Sequence, residues 1–464
     1  MSSPQIVWFR RDLRLQDHPA LCAAAARGPV IPVYVLDDER AGNRKPGGAS
    51  RWWLHHSLES LGKSLGRHRS KLILLRGDCV AGLARLAEET GAETVHAIQH
   101  YEPWWKDAEE ELTGHCDLAL YDGNYLMPPG SVTTGSGTPY KIFTPFYRAL
   151  SRMMPPRDPL EEPALSLPDE WPHSDDLDEW GLLPTKPDWA DGFRKQWDVG
   201  EIAAQDRLTD FVDRVSAYED DRNFPSCEGT SRLSPHLHWG EISPAQIWKA
   251  LEGKRGQGVQ AFRSELIWRD FAQNILCQFP YYPEESYRQA YRDFPWRNPN
   301  RGHLIAGELE AWQMGRTGYP IIDAGMRQLW ATGWMHNRVR MIVASFLTKH
   351  LLIDWRHGER WFWDTLVDAD YASNGTNWQW VSGTGVDTQL FTRVMAPLLQ
   401  SEKFSAADYI REWVPELAHL PDADIHDPPP SKWPEDYPER LIEHREGRER
   451  ALSAYRDMKG ETES

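Results

Sequence analysis

An α/β domain built on a parallel sheet, followed by an all-α domain, is the fold class this sequence predicts. Two observations carry it. Over the first 130 residues, short apolar runs alternate with helix-period stretches. That is the pattern of βαβ units and a Rossmann-like sheet. From about residue 196 the strand patterns stop and helical ones take over. Length agrees, because 464 residues exceed what a single hydrophobic core organises.

Strands are expected at 5–9, 30–36, 71–75 and 94–99, each short, rich in Val and Ile, and bounded by Gly, Pro or charge. Helices are expected between them near 19–26, 51–65 and 80–89. The first strand runs into Arg10, Arg11, Asp12 and Leu13 rather than a GxGxxG turn. The sheet is therefore not a standard dinucleotide-binding unit. TTGSGTP, MMPPRDP and LPDEWPHSDD then mark a long ordered linker. The chain divides into 1–130, a linker over 131–195, and a helical part over 196–464. Helices are predicted near 201–218, 244–251, 260–279, 320–331, 336–354 and 360–366. Pro320 after Gly318 starts one, and Gly333 stops it. Roughly the last sixty residues, charged and Pro-rich, read as a peripheral cap.

Bulk composition excludes several classes. No run of about 18 apolar residues is present, so no membrane helix is expected. MSSPQIVWFRRDLRL places its arginines after a short strand, unlike a secretory signal. Cys22, Cys79, Cys116, Cys227 and Cys277 form no CxxC pair. This fits reduced thiols in a cytoplasmic protein and argues against structural zinc. A net charge of −17 speaks against a generic nucleic-acid binder. Locally the balance differs: between Glu310 and His350 five basic residues (Arg316, Arg327, Arg338, Arg340, Lys349) face two acidic ones (Glu310, Asp323). These cations are either a DNA face or the partners of carboxylates elsewhere. Tryptophan is abundant, at 23 copies. Most are core, and a few suit electron hopping beside a redox cofactor.

Four constellations in the helical half carry chemistry. In GTSRLSPHLHWG, Thr230, Ser231 and Ser234 offer hydroxyls and N–H groups beside Arg232. Such a turn binds phosphate or simply caps a helix. In ELIWRDF, Glu265, Trp268 and Arg269 share a helical face. That face either meets a base edge or holds a Glu–Arg pair beside a buried Trp. Asn337, Arg340 and Met341 also stand at i, i+3 and i+4, a poor recipe for plain core and a good one for a pocket. Asp368, Asp370 and Asn374 follow, then Trp378 and Trp380. The two carboxylates lack the further oxygen ligands a hard cation wants, so no metal is assigned. They accept hydrogen bonds from a cofactor or pair with Arg340. No Ser–His–Asp order, Walker loop or HExxH is present.

In this order, IVWFRRDLRLQDHPAL, GTSRLSPHLHWGEISP, ELIWRDF, GRTGYPIIDAGMRQLWATGWMHNRVRM and DADYASNGTNWQW resemble the photolyase/cryptochrome family over nearly the whole chain. The resemblance implies an α/β antenna domain, a long linker, and an all-α C-terminal FAD-binding domain holding a U-shaped FAD. By that likeness Tyr218, Arg222, Thr230, Ser231, Arg232, Leu233 and Ser234 lie by the FAD phosphates. Arg340 and Asp368 bracket the flavin ring, with Asp370 on its polar edge. Asn374 faces flavin N5 and stabilises the reduced or radical flavin. Glu265, Trp268, Asn337, Met341 and Trp380 line a pocket for a flipped lesion, with Asn337 also on the cofactor side. Arg269, Arg338 and Arg393 belong to the DNA-facing set. Trp378, Trp355 and Trp296 form the chain that photoreduces FAD.

HNRVRM with Met341 is similar to the enzymes for cyclobutane pyrimidine dimers. GGASRWWLHHSL (47–58) and the segment 386–404 look like the bacterial class III subgroup. The common Tyr-Phe-Arg-Ile-Phe-Asn-Pro is here Phe391, Thr392, Arg393, Val394, Met395, Ala396, Pro397, with the arginine kept. The implied activity is light-driven splitting of the dimer in ultraviolet-damaged DNA by a monomeric protein. A second antenna chromophore is also implied, methenyltetrahydrofolate, with Glu39 against its pterin. Two other readings compete. One is a cryptochrome-like photoreceptor, disfavoured by the lesion-pocket residues and by a C-terminus ending at Ser464. The other is a light-independent flavin oxidoreductase, which the absent GxGxxG does not support.

Overall fold

The structure, a computed structural model, describes residues 3–460; Met1 and Ser2 of the N-terminal reading, and the terminus at Ser464, lie outside them. The chain packs as two compact units. The first gathers the chain through Ala190 with Arg194–Ser216 and Ser231–Pro280. The second gathers Asp191–Phe193, Ala217–Thr230 and the chain from Tyr281.

In the first unit, β1 (Gln5–Phe9), β2 (Val30–Leu36), β3 (Ile73–Arg76), β4 (Thr94–Ile98) and β5 (Asp117–Tyr121) form one parallel sheet in the order β3-β2-β1-β4-β5. Val7 pairs with Pro32 on one side and His96 on the other. Strand order reverses at β1 and β4, as in doubly wound folds. β1 and β2 are buried throughout, which is why their sequences are unbroken apolar runs. The connecting helices are α1 (Pro19–Ala25), α2 (Gly48–Arg67), α3 (Cys79–Thr90) and α4 (Pro103–Leu112). α3 starts where Asp78 accepts from the Ala81 N–H at 2.8 Å, and stops at Gly91 in a left-handed conformation. Its Val80, Leu83 and Leu86 fill the core with Ile6, Trp8, Ile31 and Val33. The helices Glu201–Arg214, Ser234–Trp239, Pro244–Ala250 and Gln257–Gln278 belong to the same unit. Among the described residues no strand follows β5, so the α/β-then-α reading stands.

Several elements differ from expectation. β5 is a half-exposed edge strand and α4 (PWWKDAEEEL) is amphipathic but polar on average, so neither stands out as an apolar run. The Pro-rich linker contains a helix, α5 (Phe143–Ser151). The expected helix 336–354 is an α-helix over Asn337–Ser345 followed by a π-helical turn, Phe346–His350. That turn buries Lys349 completely and lets its ammonium donate to the Arg393 carbonyl at 3.1 Å. The C-terminal stretch is more than a peripheral cap: Ile410, Val414, Leu417, Leu420, Ile425 and Ile442 lie in the core of the second unit. The five cysteines are free. No helix among the described residues is long and apolar enough to cross a membrane.

Among the buried carboxylates of the first unit are Glu201 and Asp270. Glu201 accepts from the Leu15 and Gln16 N–H groups at 2.9 and 2.8 Å. Asp270 accepts from the Met127 N–H at 3.1 Å. Desolvation pushes each up to about 7. The folded state thus holds protons the unfolded chain has released. The stability these groups contribute is fully present near pH 4 and is lost as pH rises to 7. Asp270→Asn is expected to remove one such slope, about 1.4 kcal/mol per pH unit. Denaturant titrations at pH 5 and pH 7 check it; the same wild-type-to-variant difference at both would sink the claim.

Candidate functional site

The serine-rich turn is built into the first unit from several directions. Arg232 sits at φ 50, a conformation that strains a side chain bearing a Cβ. Ser231 Oγ accepts from the Leu233 N–H at 3.3 Å, and the helix Ser234–Trp239 begins without a side-chain cap. The simple-cap alternative is therefore not what these hydroxyls do. The turn's far end is fixed at Gly240, whose φ is +67 and where a Cβ would fall 2.2 Å from the Arg11 carbonyl. Arg14, fully buried, donates to the Gly240 carbonyl at 2.9 Å. Glu241 receives Trp53 Nε1 at 3.0 Å, Ser57 Oγ at 2.6 Å and His236 Nδ1 at 2.5 Å. Thus Arg14, and Trp53 and Ser57 of the RWWLHHSL helix, are scaffolding for the turn.

Glu265 and Trp268 are both half-buried, one turn apart on the helix Gln257–Gln278. Phe143 stacks on Trp268 with centroids 3.4 Å apart and planes 5° from parallel. One face of the indole is thus occupied and its orientation set. Phe143 escaped the sequence reading because it lies in the Pro-rich stretch. Arg269 does not share the fate expected of it. Its guanidinium donates to the Asn124 carbonyl and, at 3.1 Å, to the Leu237 carbonyl, and lies 4.5 Å over Tyr125. It ties its helix to the serine-rich turn rather than reaching for DNA.

In the second unit Arg340 pairs with Asp368 at 3.1 Å while its Nε donates to the Met335 carbonyl at 2.8 Å. Asp370 caps the helix Tyr371–Ser382 by accepting from the Ser373 N–H at 2.7 Å. Asn374, one turn later, donates its amide to the carbonyl and carboxylate of Glu359 at 3.0 and 2.9 Å. This fixes the amide so that its oxygen remains an acceptor. Glu359 is fully buried and was missed by the sequence reading. Arg222 lies 5.1 Å over the Tyr218 ring. Arg222, Arg338 and Arg340 all act on His336, which burial together with these three charges pushes down to about 3. A neutral imidazole amid guanidinium groups suits an anion such as a diphosphate. Arg338 donates to Asn223 at 2.5 Å and to Met341 Sδ at 3.8 Å, so the exposed Asn337 and the half-buried Arg340 and Met341 do share one helix.

The basic excess between residues 310 and 350 is largely paired with acid or buried. Arg327 pairs with Glu416 at 2.8 Å, Arg316 with Glu310 at 3.8 Å, and Lys349 is buried. Arg393, by contrast, is exposed.

Tryptophan chemistry is concentrated in one core. Trp378 and Trp355 are buried in it, and Trp296 packs against it beside Phe294 and Phe391. Trp378 meets Phe362 at 5.0 Å and Trp312 at 6.3 Å. Gly358 admits the Trp378 ring: a Cβ there would lie 2.1 Å from its Cη2. A glycine inside a helical pattern was the available signal for this contact. Trp380, on the same helix, is half-buried.

In the second unit an ion pair, an amide with its acceptor fixed and guanidinium groups suit a flavin and its phosphates; in the first, hydroxyls on a strained turn suit phosphate. The known families agree. "FAD binding domain of DNA photolyase" matches residues 262–457, and "DNA photolyase" matches residues 5–164. The deoxyribodipyrimidine photo-lyase of Agrobacterium fabrum is 46% identical over 99% of this chain and 99% of its own. Cryptochrome-1 of Arabidopsis thaliana is 36% identical over 91% of this chain and 64% of its own. The crystal structure of a bacterial class III photolyase from Agrobacterium tumefaciens superposes with a TM-score of 0.93 at 46% identity, covering 99% of this chain and 98% of that one. Identity sustained over both halves of the chain, together with the same fold, shows that this protein belongs to the photolyase/cryptochrome family.

Proposed function

We propose that this chain is a light-driven DNA repair lyase that splits cyclobutane pyrimidine dimers. The observation that carries this reading is the pair Glu265 and Trp268, half-buried one turn apart, with Phe143 stacked behind the indole. A carboxyl group beside an oriented ring is what a damaged base needs for hydrogen bonding and stacking, and a photoreceptor without repair has no use for it. When bound, reduced FAD excited by blue or near-ultraviolet light supplies the electron that breaks the two carbon–carbon bonds and takes it back, with no net redox change.

The protein's own part is position and electrostatics. Arg340 and Asp368 would bracket the flavin ring, and the Asn374 amide oxygen, fixed by Glu359, would be its acceptor on the flavin. Tyr218, Arg222, Thr230 and the turn Ser231, Arg232, Leu233, Ser234 would hold the phosphates, with Asp370 and Asn337 at the polar edge. Glu265 would stabilise negative charge on a pyrimidine carbonyl. Trp378, Trp355 and Trp296 would supply electrons for photoreduction of the bound flavin. The dimer flips out of the duplex at a cost of a few kcal/mol. Trp268, on its open face, and Trp380 replace the lost stacking, while Met341 packs alongside. Arg338 and the exposed Arg393 face phosphate, so binding weakens with salt only gently.

On this reading 1–130 is an antenna domain, 131–195 a linker and 196–464 the FAD- and DNA-binding part of a cytoplasmic monomer. A methenyltetrahydrofolate antenna rests on Glu39, exposed after the carboxyl end of β2, the edge where open α/β sheets bind ligands.

The test is to reduce the purified protein, mix it with a thymine-dimer oligonucleotide and follow the DNA absorbance band in blue light and in darkness. Recovery of absorbance only in light is expected. Flavin-loaded protein that restores nothing in light would overturn repair in favour of the photoreceptor reading.

A further inference from the structure

We infer that His55, His56 and Glu59, on the outer face of α2, bind one first-row transition-metal ion, with zinc as its natural probe. Each of the three side chains offers a ligand atom, and these atoms lie within 4.8 Å of one another. His56 Nδ1 and Glu59 Oε2 are 3.7 Å apart. Ligand atoms at zinc's usual bond lengths of about 2.0–2.2 Å stand roughly 3.4 Å apart in a tetrahedron, so small side-chain rotations close the set. Two imidazoles and a carboxylate suit zinc and its neighbours rather than calcium or magnesium.

Two features of the surroundings support the site. His55 is 7% exposed and its Nδ1 has no hydrogen-bond partner. Its other nitrogen, Nε2, lies 3.8 Å from the Asp178 carboxylate. One ring nitrogen is thus open while the other lies near an acid, which on closer approach would raise the basicity of a metal-bound histidine. Trp52 holds the His56 ring edge-on at 4.6 Å, limiting its rotation. Two cations oppose binding. Lys63 donates to Glu59 Oε1 at 2.7 Å, and Arg194 acts on His56. Displacing the ammonium from one carboxylate oxygen weakens the site without blocking it, because Oε2 faces His56. Micromolar rather than nanomolar affinity follows.

The site is separate from the flavin machinery. None of the three ligands is among the groups that hold Glu241, which are Trp53, Ser57 and His236. A bound ion would instead pin the turn Asp178–Trp180 to α2 through Asp178.

The experiment uses tag-free, full-length protein stripped with chelator and titrated with Zn2+ alone by calorimetry. Co2+ is titrated separately and followed by visible absorption. One equivalent is expected with micromolar Kd, a tetrahedral Co2+ spectrum, and a melting temperature raised by Zn2+. His56→Ala and Glu59→Gln, both away from the core, should each weaken binding at least tenfold and abolish the zinc-dependent rise in melting temperature. Their photorepair without metal should match wild type. Absence of binding below about millimolar Zn2+ would overturn the proposal. So would binding unchanged in the His56→Ala/Glu59→Gln double variant, which would place the ion elsewhere.

Discussion

Glu265→Ala is expected to cut photorepair about tenfold while leaving the bound FAD and the fold unchanged. Glu265 is half-buried on the helix Gln257–Gln278, which is anchored elsewhere by Arg269 to the Asn124 and Leu237 carbonyls and by Asn274 to the Tyr140 carbonyl at 2.8 Å. Removing its carboxyl therefore costs little structure. What disappears is a hydrogen bond that strengthens only as charge develops on the pyrimidine carbonyl. A tenfold loss corresponds to about 1.4 kcal/mol of that stabilisation. The measurement is repair per absorbed photon at saturating dimer, with flavin absorbance as the loading control. Wild-type yield from the variant would remove Glu265 from the chemistry. Loss of flavin would show a structural role instead.

Gly358→Ala should have the largest structural effect. The added methyl would stand 2.1 Å from Trp378 Cη2 and 2.6 Å from Leu347 Cδ2, inside a packed core. Overpacking of this kind costs about 1–3 kcal/mol when neighbours shift, and more when they cannot. Neither ring nor helix has room: Trp378 is 2% exposed and already wedged against Phe362 and Trp312. A lowered melting temperature is expected, and in the folded fraction slower photoreduction of oxidised flavin, because the Trp378 ring must move. Repair by chemically pre-reduced protein should suffer less. Wild-type melting would mean the Gly358–Trp378 contact is not as close as described.

Some of this was legible before any coordinates. β1 and β2 are unbroken apolar runs because both faces of a central parallel strand are buried, and the helix Pro320–Thr332 announces itself by Pro at its start and Gly at its end. β5 and α4 escape notice for the same reason in reverse: an edge strand and a largely polar helix carry too few apolar residues to stand out. Arg269 shows the limit of helical spacing. Sharing a face with Glu265 and Trp268 says nothing of where a long guanidinium ends, and here it ends on two carbonyls distant in sequence. Of the two readings of the basic excess, pairing with carboxylates elsewhere holds for Arg327, whose partner Glu416 lies 89 residues on, while Lys349 is buried, neither of which a local count can show.

The sequence by itself determined which residue types are available and in what local order: the α/β-then-α architecture, the carboxylates and amide of DADYASN, the hydroxyl turn, the tryptophans. Periodicity and motif order are short-range, and they survive in one dimension. Only the tertiary structure decided which partners complete them. Glu359 orients Asn374 from another helix, Phe143 claims one face of Trp268 from across more than a hundred residues, and Gly358 makes room for Trp378. Such pairings depend on packing at contact distance between segments remote in the chain, where a few tenths of an ångström separate a fit from a clash.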